Sequence, residues 1–265
     1  MSTVANAPVS WIPAGFHTLT PYLHPLPEHK LTDFLKAAFG AEQQFRTPPT
    51  GPIMHSQLRI GDSIVELAEP PLERPCPRAT SFRIFFENVD EVYRRALQAG
   101  ATSLAEPVDR PYGFREAGIQ DPAGNYWFLS RALSGDSYKP AGVPDIEPSL
   151  IMRRPVELLE FFEKAFGAEV LGRHFGDDGI LHYAAVKLGD SILSVGQARD
   201  RWQPMPGGIH YYIPNVDEVY QRALAAGAQS IESPVDKPYG DRSAGIIDPE
   251  GNYWYLTTHI KDVRL

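Results

Sequence analysis

The sequence contains a single cysteine, Cys76, among its 265 residues. One thiol cannot form an internal disulfide, which is typical of a reducing compartment and predicts a cytoplasmic protein. No apolar run approaches the roughly 18 residues that cross a membrane, and no basic segment followed by an apolar one opens the sequence. The sequence therefore predicts no membrane partner.

An excess of basic residues is also absent. The chain has 25 Lys and Arg against 33 Asp and Glu, with a net charge of -8. Nucleic-acid binding usually requires a basic patch, so we expect no nucleic-acid partner. Glycine-rich phosphate loops, nucleophile elbows, and HExxH or CxxC spacings are absent too, which excludes the chemistries that those motifs carry.

What the sequence does contain is one stretch present twice. Residues 88–130 and 215–257 are identical at 30 of 43 positions. Upstream, DFLKAAFGAE from Asp33 matches EFFEKAFGAE from Glu160, and RIGDSIVEL from Arg59 matches KLGDSILSV from Lys187. A repeat of this length exceeds the period of solenoids and propellers. It predicts two copies of one small domain, at residues 15–132 and 147–262, joined by a linker at 133–146.

Within each copy, the apolar periodicity predicts the order strand, helix and three strands, twice over. Residues 31–39 have helical spacing, residues 53–60 and 63–68 read as a hairpin, and Asp90 is expected to cap a second helix. Four such modules indicate an α+β protein. Two modules joined edge to edge would give a curved mixed sheet with helices outside and a concave face for a ligand.

This order, with GDS in the first hairpin and DPxGNxW in the last, resembles the vicinal oxygen chelate superfamily, which contains glyoxalases, bleomycin resistance proteins and extradiol dioxygenases. PAGFHTLTPYL, AAFGAE and PYGxRxAGIxDPxGNYW look most like its PhnB-like branch. The resemblance covers about residues 15–260 and implies two glyoxalase-like domains. It does not choose among the functions of the superfamily, which include isomerases, lyases, dioxygenases and binding proteins.

The resemblance also implies where a metal would be held, by His, Gln or Glu on the first, fourth, fifth and eighth strands of a paired unit. Those places fall on Thr20, Glu66, Ser81 and Phe128 in the first copy, and on Glu147, Ser194, Gly208 and Tyr255 in the second. Only two of the eight residues are carboxylates, and no pairing of modules collects both in one cavity. We therefore expect no metal cofactor, with the alternative of a divalent ion such as Zn, Fe, Mn or Ni through other ligands.

Hairpin register predicts which side chains face the cavity. A turn at Gly61-Asp62 sets Leu58 opposite Val65 in the core, and Gln57 opposite Glu66 on the other face. The same count places Tyr183 and Ser194 inward in the second copy. Whether modules pair within one copy or between copies stays open. Exchange would give one cavity containing His55 and Glu66, and a second, more aromatic cavity.

From these positions we predict His55 and Glu66 as a catalytic pair and the His55 cavity as the working site. The predicted ligand-binding residues are Thr20, Tyr22, Gln57, His210, Tyr212, Arg242, Tyr255, Arg115, Phe128 and Tyr183. The two arginines could bind an anion, or instead pair with Asp109 and Asp236. Likewise, His55, Gln57 and Glu66 could satisfy one another.

The expected function is metal-free binding of a small aromatic or anionic molecule in a concave sheet cavity. The alternative is an enzyme of lyase, isomerase or dioxygenase type, acting through a metal or through His55 and Glu66 as a general base. Because the second copy is already fused to the first, we expect a pseudo-two-fold monomer. A homodimer is the alternative. The sequence does not name the ligand.

Overall fold

The structure is a computed structural model that describes residues 9–25, 28–50, 54–69, 76–77 and 79–263. Strands and helices follow one another there as four modules, each with the order strand, helix and three strands. This order is the one predicted from the apolar periodicity, and the α+β architecture is confirmed.

The modules have the following bounds. The first contains β1 (Leu19–Leu23), α1 (Glu28–Phe39), β2 (Glu42–Thr47), β3 (His55–Ile60) and β4 (Ser63–Leu67). The second contains β5 (Ser81–Phe85), α2 (Val89–Gln98), β6 (Thr102–Asp109), β7 (Phe114–Gln120) and β8 (Tyr126–Ala132). The third contains β9 (Ile146–Met152), α3 (Pro155–Phe166), β10 (Glu169–Phe175), β11 (Leu181–Leu188) and β12 (Ser191–Gln197). The fourth contains β13 (Gly208–Tyr212), α4 (Val216–Ala225), β14 (Gln229–Asp236), β15 (Asp241–Ile247) and β16 (Tyr253–His259).

The start of α2 differs from the prediction. Its N-cap is Asn88, whose side-chain oxygen accepts a hydrogen bond from the backbone N–H of Glu91 at 3.1 Å. Asp90 lies inside the first turn, where its charge interacts favourably with the helix dipole. Asn215 caps α4 in the same way. Asp90 was the wrong choice because Asn88 is an equally good capping residue two positions earlier.

The helices and sheets pack as two apolar cores, one for each copy. In the first copy α1 and α2 cover the sheet strands around the fully buried Trp127, and in the second α3 and α4 do the same around Trp254. Burial of these large rings is a main contribution to stability. The predicted domain limits themselves stay a prediction.

The sheets, in contrast, join modules from different copies. The first sheet has the order β14-β15-β16-β13-β1-β4-β3-β2, and the second the order β10-β11-β12-β9-β5-β8-β7-β6. The junctions are antiparallel, β1 with β13 and β5 with β9. Each face of a sheet that points away from the helices therefore combines halves of both copies. Of the two pairings left open by the sequence, within one copy or between copies, the structure has the pairing between copies.

The repeated GDS turns fix this exchange reciprocally. Asp62 Oδ1 accepts the N–H of Asp145 at 2.8 Å, just before β9. Asp190 Oδ1 accepts the N–H of Thr18 at 2.8 Å, just before β1. His17 lies between the two turns, 2.7 Å from Asp190 and 3.6 Å from Asp62. Each turn thus holds the strand that the other copy contributes.

The DPxGNxW signature also has a structural role. The carboxylate of Asp121 accepts hydrogen bonds from the backbone of Asn125 at 3.0 Å and from the indole of Trp127 at 2.8 Å. Asp248 repeats the arrangement with Asn252 and Trp254. The conserved spacing within the repeat therefore orders the turn between the last two strands of each copy. It carries no information about the ligand.

Among the described helices, none is long and apolar enough to cross a membrane. The monomeric state of the chain stays a prediction.

The contact between His17 and the two turns predicts a pH-dependent stability. Hydrogen bonds that His17 donates to Asp190 and Asp62 raise the pKa of His17 from 6.5 to about 9. A raised pKa stabilises the fold below pH 6.5, and the contribution is lost as pH rises through about 9. A His17→Gln variant should therefore melt a few degrees below wild type at pH 6 and nearly with it at about pH 10.

Thermal unfolding followed by circular dichroism measures this difference. His174→Gln, which changes an exposed histidine on the edge strand β10, is the control and should follow wild type at both pH values. A His17→Gln deficit that is the same at both pH values would show that the charge of His17 contributes nothing.

Candidate functional site

The face of the first sheet turned away from the helices, here called the first concave face, brings together most of the predicted site. Register places Thr20 beside His210, Tyr22 beside Glu66, and His210 beside Tyr255. The hairpin pairs Gln57 with Glu66 and Leu58 with Val65, as predicted. Four adjacent strands from both copies thus contribute to one row of side chains.

Glu66 is the centre of this face. Its side chain is 2 % exposed, and its carboxylate accepts hydrogen bonds from His210 Nδ1 at 2.6 Å and from Gln57 Nε2 at 3.3 Å, with His55 Nε2 also at 3.3 Å. Burial opposes ionisation, but the two imidazoles outweigh it and lower the pKa of Glu66 to about 2. Glu66 is therefore a buried carboxylate at neutral pH, with three donors around it.

His210 extends the network to the last strands. Its Nδ1 donates to Glu66, because a carboxylate only accepts, and its Nε2 lies 2.7 Å from the hydroxyl of Thr257. Thr257 is in turn 3.1 Å from the hydroxyl of Ser243. These two hydroxyls were not predicted as part of the site, although their strand parity matches that of Tyr255.

Aromatic rings complete the first concave face. Tyr22 lies 4.5 Å from Tyr255 and 5.8 Å from His55 between ring centroids. The hydroxyl of Tyr255 donates to His24 Nε2 at 2.8 Å, because His24 Nδ1 already donates to a carbonyl. His24 was missed by the sequence reasoning. Burial, together with the charge of Glu66, raises the pKa of Tyr22, so this hydroxyl stays neutral.

Tyr212 was predicted to line the same cavity. Its ring stacks on His210 with centroids 4.4 Å apart and is 2 % exposed, with Phe16 packed against it at 5.5 Å. It therefore supports His210 from a buried position.

Arg115 and Arg242, predicted to face a cavity, lie on the helix side of their sheets. Arg115 donates to Asp90 at the start of α2 and to Asp109 on β6, both at 2.7 Å. Arg242 pairs with Asp217 and Asp236. The reason is strand parity. Arg115 lies two and four residues before the core residues Ala117 and Ile119, so all three side chains lie on the helix side. This spacing is visible in the sequence. The alternative pairing with Asp109 and Asp236 is the one observed.

The corresponding surface of the second sheet is here called the second concave face. Register aligns Phe128, Arg83 and Glu147 on the neighbouring strands β8, β5 and β9. Arg83 donates to Glu116 on β7 at 2.9 Å, and its guanidinium lies 5.8 Å from the ring of Tyr183. Glu116 also accepts from Tyr112 and from Ser130. Phe128 and Tyr183 therefore lie where they were predicted, and Glu116 was missed.

Glu147 differs from every other acid on these two faces. Its side chain is 4 % exposed, and within the described residues its carboxyl makes no hydrogen bond. Burial raises the pKa of Glu147 to about 7, while Arg83 and Lys139 oppose the rise. The fully buried polar side-chain atoms without a hydrogen bond in the described chain are Thr80 Oγ1 and Arg110 Nε, so the oxygens of Glu147 still open onto the second concave face.

Trp202 lies along one side of the second concave face, a position that the sequence did not predict. It lies in residues 198–207, the loop between β12 and β13, and its ring is 5.6 Å from Phe128 and 5.7 Å from Tyr126. Met205 pairs with Ile151 of β9 and so fixes the loop to the sheet. An irregular loop has no periodicity from which its position could be predicted.

The places at which the resemblance implies metal ligands carry few metal donors. The register pairs Thr20 with His210, and Glu147 with Arg83. The fifth-strand ligand places, predicted at Gly208 and Ser81, therefore lie two residues later, at His210 and Arg83. Even so, the first concave face offers Glu66 and His210 bonded to each other, and the second offers Glu147 beside an arginine. In the part of the chain that the structure describes, no three His, Cys, Asp or Glu side chains are grouped to hold a metal.

Paired strand-helix-strand-strand-strand modules, exchanged between two copies, define the fold class of this chain. Comparison with known proteins identifies its family. The model of the Glyoxalase/Bleomycin resistance protein/Dioxygenase superfamily matches residues 29–129 and 149–256. The chain belongs to this superfamily. The PhnB-like branch stays a prediction.

Similar proteins come from bacteria and plants. An uncharacterized protein of Mycobacterium bovis is 32% identical over 133 residues, covering 46% of this chain and 88% of its own length. A second protein of that organism is 25% identical over 229 residues, covering 82% of this chain and 85% of its own. The crystal structure of glyoxalase I from Zea mays is similar with a TM-score of 0.66 at 18% identity, over 91% of each chain. At that identity the likeness shows the fold alone.

The network around Glu66 predicts a large effect of neutralising it. A Glu66→Gln variant keeps the shape but replaces charge-assisted hydrogen bonds, so the free energy of unfolding should fall by roughly 1.5–3 kcal/mol at pH 7. Since the pKa of Glu66 is lowered from 4.5 to about 2, the deficit should shrink as pH falls from 4.5 towards 2.

Urea unfolding at several pH values measures the deficit. Glu160→Gln, which removes an exposed ion pair with Lys164, should change stability by less than about 1 kcal/mol. Equal stability of wild type and Glu66→Gln at pH 7 would contradict the hydrogen-bonding account of the first concave face.

Proposed function

We propose that this chain binds a small molecule in the second concave face, through its own side chains and without a bridging metal ion. The observation that carries the proposal is Glu147, a carboxyl that is 4 % exposed and has no hydrogen-bond partner in the described chain. The oxygens of Glu147 are not among the fully buried atoms without a partner, so a ligand that enters the face can bond to them.

The first concave face supports binding less well. Glu66 is held by His210, His55 and Gln57, and the remaining nitrogen of His210 meets Thr257. The predicted catalytic pair, His55 and Glu66, is thus in contact, but this carboxylate already has its donors within the protein. Mutual satisfaction explains the polar side chains there without a ligand.

The side chains of the second concave face favour an aromatic ligand. Arg115 and Arg242 are bound to acids on the helix side, and Arg83 is bound to Glu116. In the described chain Arg110 Nε makes no hydrogen bond, and the guanidinium of Arg201 lies 4.7 Å from the ring centroid of Trp202. Tyr183, Phe128 and Trp202 provide the aromatic surface.

A library of small aromatic compounds, screened by thermal unfolding, tests this function. A ligand at 100 times its Kd should add about 2.7 kcal/mol, which raises the melting temperature by roughly 5–10 °C. Because side chains alone make the site, the stabilisation should be the same before and after treatment with EDTA.

A matched pair of variants locates the site. Ala185 and Gln57 occupy equivalent places, paired with Ser194 on β12 and with Glu66 on β4. Ala185→Phe fills the second concave face and should abolish the stabilisation, whereas Gln57→Phe should preserve it. Loss of binding in Gln57→Phe alone would place the site in the first face, and about one equivalent of bound metal whose removal abolishes binding would overturn the metal-free proposal.

A further inference from the structure

We infer that the second concave face selects a neutral aromatic molecule with a hydroxyl group, which donates a hydrogen bond to Glu147 and accepts one from a neighbouring serine, Ser149 or Ser194. The inference rests on the proposed binding function and names the class of ligand for that site. It is carried by the balance of charge on this face and by a group of side chains whose polar atoms make no hydrogen bond in the described chain.

The charged side chains of the second concave face balance one another. Arg83 donates to Glu116 at 2.9 Å, and Arg110 Nε lies 3.7 Å from the same carboxyl group. Glu147 lies opposite Arg83 across the junction of β5 and β9, so the face has two arginines and two glutamates. A ligand of either charge would leave one charge unmatched in a largely buried place, which costs free energy. A neutral ligand preserves the balance.

Two further bases lie at the rim of this face. Arg201 is next to Trp202 in the loop between β12 and β13, and Lys187 is near the end of β11. Both residues are exposed, so water and salt screen their charges. They therefore do not change the balance at Glu147.

The unbonded polar atoms belong to three neighbouring side chains. Glu147 and Ser149 are two residues apart on β9, and the register pairs Ser149 with Ser194 on β12. Between them Leu150 belongs to an apolar core, so strand alternation places both β9 residues on the concave side. In the described chain neither the carboxyl group of Glu147 nor the two serine hydroxyls make a hydrogen bond, and none of these atoms is completely buried.

The chemistry of these groups specifies the substituent of the ligand. An ionised Glu147 only accepts hydrogen bonds, so the ligand must donate, and the charge balance disfavours an ammonium group as the donor. A serine hydroxyl both donates and accepts. Glu147 and Ser149 are about 6.6 Å apart along the strand, so one ligand oxygen between the two side chains reaches both. A hydroxyl group supplies the donor and the acceptor at a single atom.

The aromatic part of the ligand lies towards Phe128. Register aligns Phe128, Arg83 and Glu147 in one row on adjacent strands, and Trp202 is 5.6 Å from Phe128. Because Arg201 already lies 4.7 Å from the ring centroid of Trp202, we assign Trp202 the role of a side wall and Phe128 that of the contacting ring. A ring at Phe128 then directs its hydroxyl along the row to Glu147.

Four naphthalene compounds that differ in one substituent test the inference. They are 2-naphthol, 2-methoxynaphthalene, 2-naphthylmethylamine and 2-naphthoic acid, titrated by isothermal calorimetry at about pH 8, where Glu147 is ionised, the amine and the acid are charged and 2-naphthol is neutral. We expect 2-naphthol to bind about tenfold or more tightly than the other three, because the ether cannot donate to Glu147 and the two ions upset the charge balance.

Variants of the face should change this selectivity in opposite directions. Glu147→Gln leaves one positive charge in excess, so it should weaken 2-naphthol and strengthen 2-naphthoic acid. Arg83→Gln leaves one negative charge in excess and should strengthen the amine. Ser149→Ala should weaken 2-naphthol and leave 2-methoxynaphthalene nearly unchanged. Glu160→Gln is the control, because it removes one negative charge from an exposed position on α3 and should leave all four affinities as they are.

Circular dichroism verifies that each variant is folded. Equal affinities for 2-naphthol and its methyl ether, or a Glu147→Gln variant that gains no affinity for 2-naphthoic acid, would overturn the inference. If the binding that remains still disappears in Ala185→Phe, the binding function stands and only the ligand class fails. Absence of binding by all four compounds also overturns the ligand class, and the aromatic library then decides the function separately.

Discussion

The pairing of strands between the two copies is the constraint on which the rest of the structure depends. Each copy packs its own helices around its own core, yet β1 pairs only with β13 across the junction, and β5 with β9. The turns at Asp62 and Asp190 hold these junctions in place. Without them, Glu66 would not meet His210, and Arg83 would not lie beside Glu147.

The same backbone then gives two unlike faces, because the acids lie on different strands. On the first face the acid is Glu66 on β4, and it accepts a hydrogen bond from His210 on β13. On the second face Glu116 on β7 takes the charge of Arg83, and Ser243 stands at the corresponding position of the first face. Both Arg83 and Arg110 lie near Glu116, and Glu147 makes no hydrogen bond within the described chain.

Much of this arrangement follows from the sequence, because periodicity and hairpin turns are local signals. They give the four modules and the pairing of Gln57 with Glu66. Parity would also have placed Arg115 with the core residue Ala117, and the expectation that it binds an anion overlooked that signal. The pairing of copies and the position of Trp202 depend on contacts between distant segments, for which one sequence carries no local pattern.

The central claim is that the largely buried carboxyl of Glu147 makes no hydrogen bond within the described chain, whereas Glu66 is fully engaged. Carbon-13 NMR of the glutamate carboxyl groups, titrated with pH and assigned with the Glu147→Gln and Glu66→Gln variants, measures both directly. The account predicts that Glu147 titrates near pH 7 and that Glu66 stays ionised to about pH 2. A Glu147 that titrates near its ordinary value of 4.5 would contradict the account, because its carboxyl would then be solvated or bonded within the protein.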